Sequence, residues 1–266
     1  MAPARIPVAL TVAGSDPSGG AGIQADLKTF HQFGVYGAAA ITLVTVQNST
    51  GVDRVRLLDA ELVEQQIRAV LEDLPVAVVK TGALGSAALV RVVARLQREY
   101  GFALVVDPVL LSTHGRELLA ASAVEALLDD LLPAALLVTP NLAEAAALTG
   151  LRVDDLATMA EAARAIHRRA GAFVLVKGGH LAGDALDLLW DGTQVQEFRA
   201  PRIDSRHTHG TGCTYSAAIA AGLALGRPLH AAIANAKAYV TAAIRTAPGL
   251  GTGHGPLNHF AVPGAE

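Results

Sequence analysis

Short runs of β-branched and aliphatic residues recur along the chain, at residues 8–13, 41–46, 76–79, 104–106, 136–138 and 173–176. Most are apolar nearly throughout instead of alternating, which predicts buried parallel strands wrapped by helices on both faces. Between them, apolar positions recur three and four residues apart. In residues 59–73, Leu62, Val63, Ile67, Val70 and Leu71 mark one helical face, while Glu61, Glu64, Gln65 and Arg68 face out. Similar patterns predict helices over 86–100, 116–131 and 155–170. The alternation of strand and helix predicts an α/β doubly wound sheet, whose ligand sites lie outside the carboxyl ends of the strands. The polar, glycine-rich segments do follow the apolar runs: GSDPSGGAG, QNSTG, KTGALG, DPVLLSTHG, TPNLAE and KGGH. No charged linker, repeat or shift in composition divides the chain, so residues 1–266 are expected to form one domain.

Composition narrows the class. A chain that is 52% hydrophobic and 17% charged can build a core, and its 26 Gly and 12 Pro follow no fixed repeat. Basic residues number 21 against 24 acidic, so the net charge of -3 offers no bulk attraction to nucleic acid and leaves room only for a local cationic pocket. The lone cysteine, Cys213, excludes an intramolecular disulfide and a cysteine-based metal cluster. The apolar run near the N-terminus stops at Gly14 and Asp16, short of the roughly 18 residues of a membrane span, so a cytoplasmic protein is expected.

Three segments can carry chemistry. The loop of residues 14–22 brings glycines between a strand and a helix expected near Gly20; it either exposes amides to a ligand or makes a tight turn, and it matches neither Gly-x-x-x-x-Gly-Lys-Ser/Thr nor Gly-x-Gly-x-x-Gly. The segment HTHGTGCTYS puts Thr211, Gly212 and Cys213 at a helix N-terminus, where free amides suit a phosphate or a developing anion. That field would lower the thiol pKa and prepare Cys213 as a base or nucleophile; a small buried hydrophobe is the plainer alternative. Asp107, Asn141 with Glu144, and Lys177 follow three different strands. Together they are suited to a magnesium triphosphate, Glu144 through metal-bound water and Lys177 on phosphate oxygens, although Asn141 and Glu144 also fit a capping box. The pairs His207 with His209 and His254 with His259 lack helical ligand spacing with a further acidic ligand, which disfavours a histidine metal site.

The blocks AGSDPSGGAGIQADLKTF, TVQNSTGV, KTGALG, VVDPV, VTPNLAEA, VKGGH and THGTGCT, in this order over nearly the whole chain, resemble the hydroxymethylpyrimidine/phosphomethylpyrimidine kinases of thiamine biosynthesis, in the ribokinase-like superfamily. The resemblance implies a mostly parallel central sheet with helices on both faces, a homodimer, and two successive ATP-dependent phosphorylations of one aminopyrimidine. It implies that Gln47 reads the pyrimidine edge with Gly14, Asp26 and Ala83 nearby. It implies that Asp107 and Glu144 serve magnesium and phosphate, that Asn141 partners Glu144, and that Lys177 and Thr208 contact the nucleotide. Gly210, Thr211 and Gly212 would form the anion hole, with Cys213 as catalytic base.

Several positions depart from the resemblance. Thr45 stands where members often have valine, Thr113 followed by His114 where a flap lysine is common, Ala83 where many have methionine on the pyrimidine, and His207 where asparagine is frequent. Ala83 leaves space that loosens or broadens the pocket. Related kinases act on pyridoxal, some with a flap cysteine near the position of Ser112; the absence of cysteine there removes that aldehyde-trapping route. The alternatives are therefore a pyridoxal or pyridoxine kinase and a catalytically silent pyrimidine-binding sensor.

Overall fold

The computed structural model describes residues 6–111, 115, 118–179, 181 and 183–264. Its nine strands form one sheet: β1 (Val8–Ser15), β2 (Tyr36–Asn48), β3 (Gly51–Leu57), β4 (Val76–Thr81), β5 (Ala103–Val106), β6 (Leu137–Val138), β7 (Phe173–Gly178), β8 (Ala185–Trp190) and β9 (Val195–Ala200). The spatial order is β3-β2-β1-β4-β5-β6-β7-β8-β9. The run from β2 to β7 is parallel throughout, while β3, β8 and β9 join it antiparallel at the two edges.

These three strands are absent from the run-based reading, and for the two edge strands, β3 and β9, the reason is physical. In β3, Asp53, Arg54 and Arg56 are exposed among valines, and β9 carries Glu197 and Arg199 outward; an edge with one solvated face alternates and leaves no continuous apolar run. β2 and β3 are joined at a tight turn in which Asn48 Oδ1 accepts from the amide and hydroxyl of Thr50, at 2.9 and 2.7 Å.

The parallel strands bury both faces, as their apolar runs require. Leu10, Val12, Val79, Leu104, Val106, Val174 and Val176 point to one layer, and Ala9, Val78, Val105 and Leu175 to the other. The first layer is covered by α2 (Ala60–Asp73), α3 (Ala87–Tyr100), α5 (Leu142–Thr149) and α6 (Leu156–Ala170). The second is covered by α1 (Gly22–Gln32), α7 (Thr211–Ala224) and α8 (Leu229–Arg245). Caps explain several helix starts: Ser86 Oγ accepts from the Leu89 amide at 3.3 Å, and Asp155 with Thr158 forms a capping box.

One expected helix is corrected. The span 116–131 winds in three ways: a 3-10 turn at Ala121–Ala123, one α turn, α4 (Val124–Ala126), and a π turn at Leu127–Leu131. A 3-10 turn at Leu132–Ala134 ends it at Pro133, which supplies no amide to continue the ladder. Residues 116 and 117 lie outside the described residues. Among the described residues no helix is long and apolar enough to cross a membrane.

Candidate active site

A cleft of about 1090 Å³ opens at the carboxyl ends of the parallel strands, the edge at which a doubly wound sheet places its ligands. Twelve of the thirteen sequence-expected residues line it: Gly14 near the end of β1, Gln47 in β2, Ala83 after β4, Asp107 after β5, Asn141 and Glu144 at α5, Lys177 in β7, and Thr208 with Gly210 to Cys213 at α7.

Asp26 is the exception. It is fully buried in α1, where Lys80 Nζ donates to both of its oxygens at 2.9 and 2.8 Å and the Thr11 hydroxyl donates at 2.6 Å. The expectation that Asp26 lies at the substrate is corrected: its carboxylate neutralises a buried ammonium beneath the cleft. Burial opposes the charge on Lys80, and the attraction of Asp26 outweighs it, holding the ammonium above its usual range.

The polar centre of the cleft is built from strand ends distant in sequence. Lys177 Nζ lies 2.8 Å from Asp107 Oδ1 and 4.0 Å from Glu144 Oε2. Asp107 also receives the hydroxyls of Thr139 at 3.3 Å and Ser216 at 3.1 Å. Burial opposes ionisation of Asp107, but Lys177 and then Lys80 outweigh it and lower the pKa. Glu144 has less compensation. Burial raises its pKa to about 7 against the pull of Lys177. Asn141 and Glu144 do form the capping box, the Glu144 amide donating to Asn141 Oδ1 at 2.9 Å and the Asn141 amide to Glu144 Oε2 at 2.7 Å. The second oxygen of Glu144 is thereby left for other work.

The start of α7 faces this centre. Gly210 has φ +81° and no side-chain cap, and a Cβ there would overlap the Gly20 carbonyl, so only glycine lets α7 begin so near the first loop. Among the described residues, the amides of Gly212 and Cys213 find no acceptor, whereas those of Thr211 and Thr214 are held by Thr208 and Gly210. A Cβ on Gly212 would lie 3.4 Å from Lys177 Nζ and 3.7 Å from Asp107 Oδ2. Lys177 and Asp107 therefore lie beside the start of α7, where two amides are free, a setting suited to an anion.

Cys213 departs from expectation. Burial pushes its thiol up to about 11, and the nearby ammonium of Lys80 only partly offsets that. The helix N-terminus does not win, so the resting side chain holds its proton at neutral pH.

The opposite wall contains groups the sequence reading missed. Asp16 Oδ1 accepts from the Ser18 amide at 2.9 Å, Oδ2 accepts from the Ala21 amide at 2.9 Å, and His209 Nε2 lies 2.8 Å from Oδ2. The same imidazole nitrogen stands 3.1 Å from Gln47 Nε2. The sequence points to this loop by its glycines and not to Asp16, because the partner His209 is 193 residues away. Farther along the cleft, Lys237 reaches Asp187 at 2.7 Å. Thr45 donates to the Ser15 carbonyl at 3.0 Å and Ala83 accepts from Thr42 at 2.6 Å. Ser112, Thr113 and His114 lie outside the described residues, and nothing in the structure explains His207.

Among the described residues no group of three His, Cys, Asp or Glu side chains is placed to hold an ion alone. A magnesium ion does not require one, since it keeps waters and phosphate oxygens and takes one or two carboxylates. Asp107 and Glu144, bridged by Lys177, fit that donor set.

Residues 16–258 match the family described as phosphomethylpyrimidine kinase. A hydroxymethylpyrimidine/phosphomethylpyrimidine kinase of Streptomyces coelicolor is 52% identical over 257 residues, covering 97% of this chain and 96% of that protein. A thiamine biosynthesis bifunctional protein of Geobacter sulfurreducens is 52% identical over 94% of this chain, which spans 52% of that longer protein. Among solved structures, an ADP complex of Bacillus subtilis pyridoxal kinase superposes with a TM-score of 0.90 at 38% identity, covering 97% of this chain and 98% of that one.

Proposed function

The chain belongs to the phosphomethylpyrimidine kinase family and is a phosphotransferase acting on hydroxymethylpyrimidine and its monophosphate in thiamine biosynthesis, and we propose that the cleft residues described above perform both transfers from ATP. The observation that carries this reading is the placement of the Lys177–Asp107 pair against Gly212, at the helix start whose amides are free.

In this reading the pyrimidine lies against Gly14, Gln47 and Ala83, and the nucleotide extends from Asn141 and Lys177 past Thr208. Lys177 stays protonated, because Asp107 and Glu144 outweigh the burial that opposes its charge. It therefore offers a fixed positive charge to the phosphoryl group in flight, and the α7 amides donate to the same oxygens. Asp107 and Glu144 would hold magnesium, which would neutralise phosphate charge. Cys213 takes the proton of the substrate hydroxyl in the first transfer. In the second, the acceptor is already a phosphate and needs little deprotonation, so Cys213 matters less.

We also propose a cytoplasmic homodimer. Val44 and Val46, on one face of the edge-proximal β2, are 41% and 55% exposed, an apolar surface that pairing would cover.

Pyridoxal is the second substrate to weigh, because the fold matches a pyridoxal kinase closely. ATP consumption measured in parallel with hydroxymethylpyrimidine, its monophosphate and pyridoxal tests the reading. Turnover is expected with both pyrimidines and far slower with pyridoxal; faster turnover of pyridoxal would reverse the assignment.

A further inference from the structure

The contacts of His209 with Asp16 and Gln47 fix the direction of the Gln47 carboxamide. Asp16 accepts from two backbone amides and from the Ser18 hydroxyl at 2.7 and 2.9 Å. Burial disfavours its charge, but hydrogen bonds from His209 and Ser18 outweigh this and lower its pKa, so at neutral pH Asp16 is an ionised acceptor. Its Oδ2 is 2.8 Å from His209 Nε2. A proton must lie between them, and it belongs to the imidazole nitrogen whether the ring is neutral or charged. That nitrogen is then a donor.

Gln47 Nε2, also a donor, stands 3.1 Å from it. Two N–H groups cannot bond to each other. A half-turn of the carboxamide puts Oε1 in that place, where one imidazole proton is shared between Asp16 and Gln47. The ring is not free to adapt instead. His209 is 2% exposed, its amide is held by the Gly255 carbonyl at 3.1 Å, and its edge rests against Gly20.

The consequence concerns the substrate ring and rests on the reading that Gln47 contacts the pyrimidine. A 4-aminopyrimidine presents an acceptor at N3 beside a donor at the amino group. A carboxamide with its NH2 on N3 and its oxygen on the amino hydrogen pairs with both, and the oxygen keeps a second lone pair for His209. A 4-oxo ring presents the reverse pattern. It needs Gln47 turned back, which sets N–H against N–H at His209. We propose that His209, held by Asp16, is a positioning residue that locks the direction of the Gln47 carboxamide and thereby selects the 4-amino ring over its 4-oxo counterpart.

The test compares kcat/KM for hydroxymethylpyrimidine and for its 4-oxo analogue. The intact enzyme is expected to prefer the amino ring by at least about tenfold. In His209→Leu, which keeps bulk and loses the donor, that ratio falls towards unity, chiefly through KM. In His209→Gln, which restores an N–H group, it is largely recovered. A folded His209→Leu enzyme with the original ratio would overturn the lock. If that variant does not fold, nitrogen NMR of the unaltered enzyme decides: a proton-bearing Nε2 on His209 supports the proposal, and a bare, pyridine-type Nε2 refutes it. Gln47→Ala separates the premise from the lock. An unchanged KM for the amino substrate removes Gln47 from the ring and the proposal with it, whereas a raised KM beside an unchanged ratio in His209→Leu refutes the lock alone.

Discussion

Lys80 and Asp26 face each other at 2.8 Å with both side chains fully buried, one at the end of β4 and the other in α1 on the neighbouring helical layer. Such a pair adds little net stability when compared with an apolar replacement, but breaking it leaves one uncompensated buried charge. Lys80→Met is therefore expected to cost about 3–5 kcal/mol of unfolding free energy. The double variant Lys80→Met with Asp26→Leu should recover most of it. Urea unfolding of the singles and the double measures this; a double as unstable as the sum of the singles would show that the two charges are not coupled.

Glu144 makes stability depend on pH. Its carboxyl ionises near 4.5 when unfolded and about 7 in the folded chain, so between those values the folded state holds the extra proton. Its contribution is present below pH 4.5 and is lost as pH rises through about 7. The difference in urea midpoint between the parent chain and Glu144→Gln should slope across this window and level off above it. Nucleotide with magnesium, which favours the ionised form, should bind with proton release at pH 6; calorimetry in buffers of different ionisation enthalpy reads that release, and none would separate Glu144 from the metal.

The thiol of Cys213, held near 11 by burial, gives the first transfer a pH signature. If the thiolate is the base, kcat for hydroxymethylpyrimidine should rise about tenfold per pH unit from pH 7 to 9. The rate with the monophosphate should stay nearly flat. Cys213→Ala should depress the first step more than the second and abolish the slope. Equal losses in both steps, or a flat profile in the parent enzyme, would remove Cys213 as the base.

Gly210 and Gly212 should fail differently. Gly210→Ala forces a side chain into a left-handed backbone and into the Gly20 carbonyl, so melting temperature and activity should fall together. Gly212→Ala places its methyl group 3.4 Å from Lys177 Nζ. It should fold normally and lose about a hundredfold or more in kcat, because it occupies the space of the transferring group. A Gly212→Ala enzyme with full kcat would move the anion site elsewhere.

The inner parallel strands of the sheet were legible because they are buried on both faces and therefore read as continuous apolar runs. The edge strands β3 and β9 were not, since their solvated faces break the run with Asp53, Arg54, Glu197 and Arg199. At the site, Asp107, Lys177 and the α7 glycines were legible because each stands beside a strand end or a helix start in a recognisable block. His209 was seen only as a candidate metal ligand. Its role depends on Asp16 and Gln47, one 193 and the other 162 residues away, and local spacing carries no trace of such a contact.

The sequence by itself determined the layers of this protein, the edge of the sheet where its chemistry lies, and through its ordered blocks the family to which it belongs. Those are consequences of periodicity and of motif, both local. Only the tertiary structure decided which charges are spent on folding and which face the cleft. Asp26 and Asp107 look alike as single carboxylates in a chain; packing gives one a fully buried ammonium and the other a lysine at the polar centre of a cleft. The state of Cys213 was decided in the same way, because the field of a helix end can be read from sequence while the loss of water around a side chain cannot.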